Sequence, residues 1–239
     1  MNIVSTTELQ RVYGEGETAV HALRGVTVAF PAGQFAAIMG PSGSGKSTLM
    51  HLLAGLDRPT SGSVVVDEQE LANLDDGALT KLRRDKLGFV FQAFNLVPVL
   101  SAEENILLPL TLAGRKPSPE WWDALIDAVG LRDRLTHRPS ELSGGQQQRV
   151  AVARALVHRP AVVFADEPTG NLDSRSSEEV LALLRQAVDD FGQTVVMVTH
   201  DAQAAAVADR IVVLRDGEIV HDGAAKGTED VLDLMKATA

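Results

Sequence analysis

Residues 40–47, GPSGSGKS, have the residue types and spacing of a phosphate-binding loop. The segment follows an apolar run at 35–39 and precedes a helical pattern that starts at Lys46. Glycines let backbone N–H groups turn toward phosphate oxygens, and a helix N-terminus adds partial positive charge. We expect Lys46 to reach the β- and γ-phosphates of a nucleotide and Ser47 to ligate Mg²⁺. The predicted nucleotide-binding residues here are Gly40, Pro41, Ser42, Gly43, Ser44, Gly45, Lys46, Ser47 and Thr48.

Two acids end a second apolar run, AVVFADE at residues 161–167. Asp166 falls at the carboxyl end of a predicted central strand, where α/β sheets bind their ligands. We expect Asp166 to hold Mg²⁺ through water and Glu167 to polarise an attacking water as general base. The alternative is that the pair only caps the turn that follows. The phosphate-binding loop upstream favours the catalytic interpretation.

The pentapeptide LSGGQ at residues 142–146 precedes a helical pattern that starts near Gln147. It offers the Ser143 hydroxyl and the backbone amides of Gly144 and Gly145 at a helix N-terminus, a favourable place for an anion. Alone, such a segment could be only a helix cap. Between the phosphate-binding loop and the acidic pair, however, LSGGQ resembles the signature of the nucleotide-binding subunits of ABC transporters.

That resemblance covers the whole chain and implies an ATPase with ATP and Mg²⁺ as cofactors. It implies that Tyr13 stacks on adenine, that Gln92 contacts Mg²⁺ and the attacking water, and that His200 contacts the γ-phosphate. The alternatives are a buried aromatic at the end of a strand for Tyr13 and a His beside a helix cap for His200. The catalytic residues implied are Glu167, His200 and Gln92, and the metal ligands are Ser47, Gln92 and Asp166.

The resemblance also implies a homodimer, in which two cassettes enclose each ATP head to tail. Lys46, Mg²⁺ and the loop amides would contact the phosphates from one side. The other side of the phosphates would stay exposed to solvent unless a second helix terminus covered it. Hydrolysis removes the shared γ-phosphate and loosens the dimer. Asp173 is then a dimer contact, and the residues that act on the partner's ATP are Leu142, Ser143, Gly144, Gly145 and Gln146.

Further segments at 89–98, 104–106 and 165–173 resemble the MacB/LolD/FtsE group of ABC ATPases. This implies a membrane permease with few transmembrane helices, and a role in export, lipoprotein extraction or force relay across the bilayer. An import-type cassette is the nearest alternative, although importers often carry an added C-terminal domain for which the chain leaves no room. A soluble ABC ATPase that acts on DNA or the ribosome, and a module that binds nucleotide without hydrolysis, fit less well.

The segment from Phe91 to Leu100 is apolar where a loop would be expected to be polar. An apolar loop beside a nucleotide site either receives a partner or tucks into its own subdomain's core. We expect a mixture, with part of the segment receiving a helix from the permease.

Composition limits the alternatives. The chain has 239 residues, 45% of them hydrophobic, with 22 Lys and Arg against 32 Asp and Glu, for a net charge of −10. This excludes a disordered chain and argues against nucleic acid as a partner. There is no Cys, no N-terminal signal pattern and no apolar run long enough to cross a bilayer. We expect a cytoplasmic protein that is peripheral on the inner face of the membrane through the permease.

The elements that must position these residues alternate between strand and helix patterns. They predict an α/β nucleotide-binding core with an inserted helical subdomain. The resemblance implies that these are a P-loop NTPase (RecA-like) core, with an N-terminal antiparallel β subdomain, and an inserted α-helical signature subdomain. We predict one nucleotide-binding domain over 1–239, with core segments 1–92 and 158–239 and a helical subdomain at 93–157. Predicted strands are 3–9, 26–30, 35–39, 63–66, 88–91, 161–165, 194–198, 211–214 and 218–221. Predicted helices are 46–54, 75–85, 102–113, 119–129, 146–157, 174–188, 201–208 and 228–236.

Overall fold

The computed structural model describes residues 1–224 and 227–237, which form strands and helices in alternation. The strands are β1 (Asn2–Tyr13), β2 (Val20–Pro31), β3 (Phe35–Met39), β4 (Ser61–Val66), β5 (Gln69–Glu70), β6 (Leu87–Phe91), β7 (Val162–Asp166), β8 (Val195–Val198), β9 (Arg210–Arg215) and β10 (Glu218–Ala224). The helices are α1 (Lys46–Leu53), α2 (Asp76–Lys86), α3 (Ala102–Leu112), α4 (Pro119–Val129), α5 (Gly144–Leu156), α6 (Ser174–Asp189), α7 (Ala202–Ala205) and α8 (Thr228–Ala237).

The strands form two sheets. An N-terminal antiparallel sheet has the order β2-β1-β4-β5, and a larger sheet has the order β10-β9-β3-β8-β7-β6. In the larger sheet the five strands from β9 to β6 are parallel, and β10 returns antiparallel to β9 as a hairpin. This arrangement confirms the predicted α/β fold class with an N-terminal antiparallel sheet.

The central strands are buried on both faces. Along β3, Phe35, Ala37 and Met39 belong to one hydrophobic cluster, which also contains buried residues of α3 to α6. Ala36 and Ile38 belong to the other, which contains the inner face of the N-terminal sheet together with α1 and α2. A strand covered on both faces has no polar side, which is why its sequence is apolar throughout.

The parallel register brings the loops after four strands to one edge of the larger sheet. Val198 of β8 lies level with Ile38 of β3 and with Asp166 of β7, and Asp166 lies level with Phe91 of β6. The segments that follow these residues therefore start side by side. This is the edge at which open α/β sheets bind ligands.

Helices α3, α4 and α5 follow β6 and precede β7 in the chain. Helix α3 begins with a capping box, in which Ser101 accepts from the Glu104 amide and the Glu104 carboxylate accepts from the Ser101 amide. Residues of α5 such as Val150 and Val152 share a hydrophobic cluster with the central strands. Helix α5 therefore joins the helical segment to the sheet, and the subdomain limits at 93 and 157 stay a prediction.

Several element boundaries differ from the prediction. Helix α7 covers Ala202–Ala205 rather than 201–208, because tighter bonds, such as Ala208 N–H to Ala205 C=O, end the helix before Asp209. The Asp209 carboxylate accepts from the Phe35 amide, so the chain must turn toward β3 at this point. Strand β5 is too short to leave a sequence pattern.

The start of α5 also differs. The helix begins at Gly144 rather than near Gln147, so the two glycines and Gln146 lie in its first turn.

No helix within 1–224 or 227–237 has the length and apolar character needed to cross a bilayer.

Candidate functional site

The phosphate-binding loop turns from β3 into α1, as its sequence predicts. Gly45 is the N-cap of α1 with a φ of 102°, in the left-handed region that favours glycine. A Cβ there would collide with the Ala22 carbonyl oxygen, so backbone freedom and space both require Gly45. The Lys46 Nζ donates to the Gly40 and Pro41 carbonyl oxygens, each at 2.8 Å. The loop thus encloses a cation, with Ser47 exposed at the start of the helix.

Burial lowers the pKa of Lys46, and the negative charges of Glu167 and Asp166 oppose part of that effect. These charges act on Lys46 because β7 ends beside the loop. The predicted phosphate-binding residue and the predicted acidic pair therefore share one edge of the sheet.

Asp166 ends β7 half-buried, and its Oδ1 is buried without a hydrogen-bond partner in the part of the chain that the structure describes. Burial raises the pKa of Asp166; the nearby His51 lowers it and Glu167 raises it further. An unpartnered carboxylate oxygen beside the loop that holds Ser47 fits Mg²⁺, which takes one or two protein oxygens and fills its shell with phosphate and water. The donor set therefore fits the predicted cation.

Glu167 and His200 are in contact. The Glu167 Oε1 lies 2.7 Å from the His200 Nδ1, and the Thr199 hydroxyl donates to the Oε2 at 3.3 Å. The Glu167 amide donates to the Val198 carbonyl, which holds the residue with a φ of 45°. A non-glycine residue in this region stores backbone strain, and such strain is concentrated at functional sites.

Gln92 bonds to the loop before α6. Its side-chain amide donates to the Asn171 Oδ1 at 3.1 Å, and the Asn171 amide donates to the Gln92 carbonyl at 3.0 Å. The segment after β6 and the segment that leads to Asp173 are therefore joined. The sequence alone did not predict that Asn171 would be the hydrogen-bond partner of Gln92.

The residues of LSGGQ form the start of α5. The Ser143 hydroxyl accepts from the Gln146 amide, and the Gln146 side chain accepts from the Ser143 amide. The amides of Gly144 and Gly145 lie in the first turn, where no intrahelical acceptor is available. These groups lie at a helix N-terminus, the kind of place that favours an anion, while Leu142 before them is buried.

Helix α6 packs directly against this helix end. A Cβ on Gly145 would lie 2.7 Å from the Ser176 Oγ and 2.9 Å from its Cβ. The Ser176 hydroxyl in turn donates to Asp173, which caps α6, and the Ser176 amide donates to the other Asp173 oxygen. These hydrogen bonds lower the pKa of Asp173. Ser176 therefore connects the signature to Asp173, a role that the sequence did not reveal.

Tyr13 lies at the end of β1 with 39% of its surface exposed, so it is not the buried aromatic of the alternative interpretation. Its hydroxyl donates to Asp57 at 2.8 Å, and the Arg11 guanidinium lies 4.4 Å from the ring centre. Burial raises the pKa of Asp57, but hydrogen bonds, first from the Tyr13 hydroxyl, and the charge of Arg11 outweigh it and lower the pKa. The ring is thus held in a fixed orientation.

The loop at 91–100 is partly core and partly exposed. Leu96 packs against the main hydrophobic cluster, whereas Val99 is 71% exposed. The fully buried Asn105 donates to the Val97, Leu100 and Ser101 carbonyls and accepts from the Val97 amide. The structure therefore shows the expected combination of buried and exposed apolar residues in this loop.

Arg154 of α5 holds the other end of this loop. It donates to the Asn95 carbonyl at 2.6 Å and to the Phe94 carbonyl at 2.8 Å, and both of those residues have positive φ. A charged residue on an otherwise apolar face of α5 was the signal for this contact.

The structure brings together the predicted residues at the ends of β3, β6, β7 and β8. The signature residues 142–146 lie against α6 and Phe94 instead, and within the described residues no hydrogen bond joins them to residues 40–48. Within the described chain the two sets are therefore separate.

A family model described as ABC transporter matches residues 23–170, more than half of the chain. The chain belongs to the ABC transporter family. Within the family it is an ATPase cassette, because the matched segment contains the phosphate-binding loop, the signature and the acidic pair. The resemblance predicted from those motifs is confirmed.

Relatives of the cassette include both long and short proteins. It is 47% identical to the macrolide export ATP-binding/permease protein MacB of Syntrophobacter fumaroxidans, over 99% of this chain and 33% of that protein. It is 44% identical to the uncharacterized ABC transporter ATP-binding protein MJ0796 of Methanocaldococcus jannaschii, over 95% of this chain and 100% of that one. The chain thus spans about a third of the MacB relatives.

Solved structures of ATP-binding cassettes also match this chain. A dimeric, post-hydrolysis structure of MJ0796 bound to ADP and Pi matches with a TM-score of 0.82 and 43% identity, covering 94% of this chain and 99% of that one. The structure of cbiO1 from Clostridium perfringens, part of the transporter complex cbiONQ, matches with a TM-score of 0.83 and 28% identity, over 97% and 91% of the two chains.

Proposed function

We propose that this cassette uses ATP binding and hydrolysis to drive a MacB-type membrane permease, for export, extraction or force relay. The observation that carries the ATP cycle is the contact between Glu167 and His200 beside Lys46 and the unpartnered Asp166 oxygen. A base, a polar partner, a cation and a metal ligand at one sheet edge are the parts that phosphoryl transfer to water requires.

In this proposal each group at the edge has one role. Lys46 and the loop amides bind the phosphates, and Tyr13 stacks on adenine. Ser47, Asp166 and Gln92 hold Mg²⁺, which when bound neutralises charge on the phosphates. Glu167 accepts the proton of the attacking water, and His200, through the 2.7 Å contact, orients that carboxylate and reaches the γ-phosphate.

The second half of each site comes from a second copy of the chain. Ser143, Gly144 and Gly145 present a helix end and free amides toward the γ-phosphate held by the partner, with Asp173 at the contact. The separation of the signature from the phosphate-binding loop within one chain supports this arrangement, as does the dimeric form of MJ0796. Closure excludes water and so strengthens each contact with phosphate.

The permease partner is proposed from the relatives and from one surface. MacB proteins carry ATP-binding and permease functions in their name, and this chain is 46–49% identical to several of them. We propose a separate or adjoining permease that docks near residues 91–100 and keeps the cassette on the inner face of the membrane. An import-type system is the alternative.

The test is the substitution Glu167→Gln, which keeps the size of the side chain and one acceptor oxygen but removes the base. ATP hydrolysis should fall ~10²-fold or more, and ATP with Mg²⁺ should shift the protein from monomer to dimer in sedimentation. Glu218→Gln, on the exposed hairpin strand β10, is the matched control and should keep wild-type turnover.

Two outcomes contradict the proposal. Unchanged turnover in Glu167→Gln would remove that residue from the role of base. A Glu167→Gln protein that binds ATP yet stays monomeric would contradict the shared site.

A further inference from the structure

Arg11, Tyr13 and Asp57 form a connected group of side chains where the end of β1 passes the end of α1. We call them the Tyr13 cluster. The Arg11 guanidinium donates to the Asp57 Oδ1 at 2.9 Å, and the Tyr13 hydroxyl donates to the Oδ2 at 2.8 Å. The guanidinium carbon of Arg11 also lies over the Tyr13 ring, 4.4 Å from its centre. Each of the three side chains therefore contacts the other two.

The Tyr13 ring is held on one face and at one edge. Arg11 lies over one face, and Asp57 holds the hydroxyl, yet more than a third of the residue stays exposed. No aromatic ring of the described residues stacks on Tyr13. The other face of the ring is therefore the one that a flat ligand would contact.

The ion pair within the cluster is more sheltered than most surface pairs. Only 23% of the Arg11 side chain and 26% of the Asp57 side chain are exposed. Burial would raise the pKa of Asp57, but hydrogen bonds from Tyr13 and Arg11 lower it, so the carboxylate is ionised at neutral pH and both of its oxygens accept. Partly buried charges are screened less by salt than exposed ones. The cluster therefore restrains the ring under physiological conditions.

Asp57 is fixed by the last turn of α1. Its amide donates to the His51 carbonyl at 3.3 Å, and the Leu56 amide donates to the same oxygen at 2.8 Å. The helix begins at Lys46, in the phosphate-binding loop. One short helix thus connects the loop that is proposed to bind the phosphates with the carboxylate that holds the Tyr13 ring.

The segment after Asp57 is also bound to β1. The Thr60 amide donates to the Gln10 carbonyl at 2.8 Å, and the Thr60 hydroxyl accepts from the Val12 amide at 3.0 Å. These bonds lie on either side of Arg11 in the strand. The two parts of the chain that supply the cluster therefore keep a fixed relation to each other.

Given that adenine stacks on Tyr13, as proposed above, we propose that Arg11 and Asp57 are positioning residues for the base of ATP. Asp57 fixes the hydroxyl end of the ring, and Arg11 occupies one face. The other face is presented to the base, at a distance from the phosphate-binding loop that α1 sets. A ring that is already oriented loses less freedom when the base binds, which strengthens binding.

The experiment measures KM and kcat for ATP hydrolysis in single variants of the full chain. Asp57→Ala should raise KM ~10-fold and Arg11→Ala ~3-fold, because each substitution frees the ring, whereas kcat should stay within ~2-fold of wild type. Inorganic tripolyphosphate has no base, so its inhibition of ATP hydrolysis should be unchanged. Arg58→Ala is the matched control: its ion pair with Asp76 is exposed, and KM should stay at the wild-type value.

Tyr13→Phe tests the hydrogen bond to Asp57 alone, because it removes one oxygen atom and keeps the aromatic ring. KM should rise ~3-fold. The double variant with Asp57→Ala should have the KM of Asp57→Ala by itself, since the two substitutions remove the same hydrogen bond. Effects on KM that multiply in the double variant would contradict an orienting role for this bond.

A spectroscopic measurement reports the ring directly. Tyr13 is the only tyrosine of the chain, so 3-fluorotyrosine labels this ring alone. Its fluorine resonance should lie away from the position found in the urea-unfolded chain and should move when ATP binds. Asp57→Ala and Arg11→Ala should each move the ATP-free resonance part of the way toward the unfolded position, while the melting temperature records any general loss of stability.

The outcomes separate the positioning roles from the proposed stacking. Tyr13→Ala should raise KM ~10-fold or more, and an unchanged KM would overturn the stacking and the positioning together. A raised KM in Tyr13→Ala with wild-type KM in Asp57→Ala and Arg11→Ala overturns the positioning alone. Weaker inhibition by tripolyphosphate in those two variants also overturns it, because the defect would then lie in the phosphate-binding loop.

Discussion

Two adjacent residues at the end of β7 are held in states that cost free energy. Asp166 keeps a buried oxygen that has no partner among the described residues, and Glu167 adopts a positive φ. Folding alone gains nothing from either feature. Local departures of this kind are expected where a protein keeps groups ready for a ligand.

The first prediction concerns Asp166→Asn. Burial raises the pKa of Asp166, so the ionised carboxylate destabilises the folded protein and the neutral carboxyl does not. Removing the charge should raise the melting temperature at pH 7 by about 2–4 °C or less, for a gain of up to about 1 kcal/mol, because the group is half exposed and partly screened. ATPase activity should fall ~10²-fold or more, since a metal ligand is lost.

The pH dependence fixes the cause. A carboxyl with a raised folded pKa costs stability above that pKa and nothing below its unfolded value of about 4. The gain in Asp166→Asn should therefore vanish in melting curves taken below about pH 4. Asp57→Asn is the control with opposite sign, because the pKa of Asp57 is lowered and its charge is stabilising. An Asp166→Asn protein that melts lower at pH 7 contradicts the argument.

The sequence predicted those residues of the site that belong to a local pattern, but not the contacts between distant segments. Lys46 and Asp166 follow from spacing, because a loop of fixed length and a strand end carry their own signals. The partners Thr199 for Glu167 and Asn171 for Gln92 depend on which strands lie side by side. That order is set by packing of the whole sheet and is absent from any local pattern.

Among the elements, α5 and α6 form the connection between the signature and Asp173. Gly145 lies so close to Ser176 that no side chain fits between them, and Ser176 bonds to the Asp173 cap. The two helix ends are therefore in direct contact. The sequence predicted both helices, yet placed the start of α5 late, because its first turn contains two glycines, which are weak helix formers, and is stabilised by the Ser143 capping box.

The second prediction tests this connection with Gly145→Ala. The added methyl would overlap Ser176, and overpacking of this kind costs about 1–3 kcal/mol, which should lower the melting temperature and weaken ATP-dependent dimer formation. Ser176→Gly in the same chain should recover much of the loss, as measured by a double-mutant cycle of melting temperatures.

Gly144→Ala is the packing control. A Cβ at Gly144 would meet its nearest neighbours at 3.6 and 3.8 Å, an ordinary contact distance, so the melting temperature should stay near wild type. Additive effects of Gly145→Ala and Ser176→Gly would show that the two residues are not coupled.

For the whole molecule, the decisive feature is that one chain contains both the phosphate-binding loop and the signature but keeps them apart. The phosphate-binding loop follows β3, and the signature begins α5 beside α6. Both are well formed, so neither needs folding on binding. A two-fold dimer would pair each loop with the other chain's signature, because an isologous interface matches unlike surfaces reciprocally.

The last prediction follows from that reciprocity. Lys46→Ala removes the phosphate cation, and Ser143→Arg blocks the signature at an exposed position, so each homodimer should be inactive. When the two variants are mixed, a heterodimer contains one site with both defects and one site with neither. With random pairing, the mixture should recover about a quarter of wild-type ATPase activity.

A signature that acted within its own chain gives the opposite result, because every chain in the mixture then has a defective site and no activity returns. Mixing each variant with a protein that carries both substitutions is the control, since no intact site can form. Recovery in the first mixture and none in the second requires that ATP be held between two copies, with the helix end of α5 closing a site that a single chain leaves open.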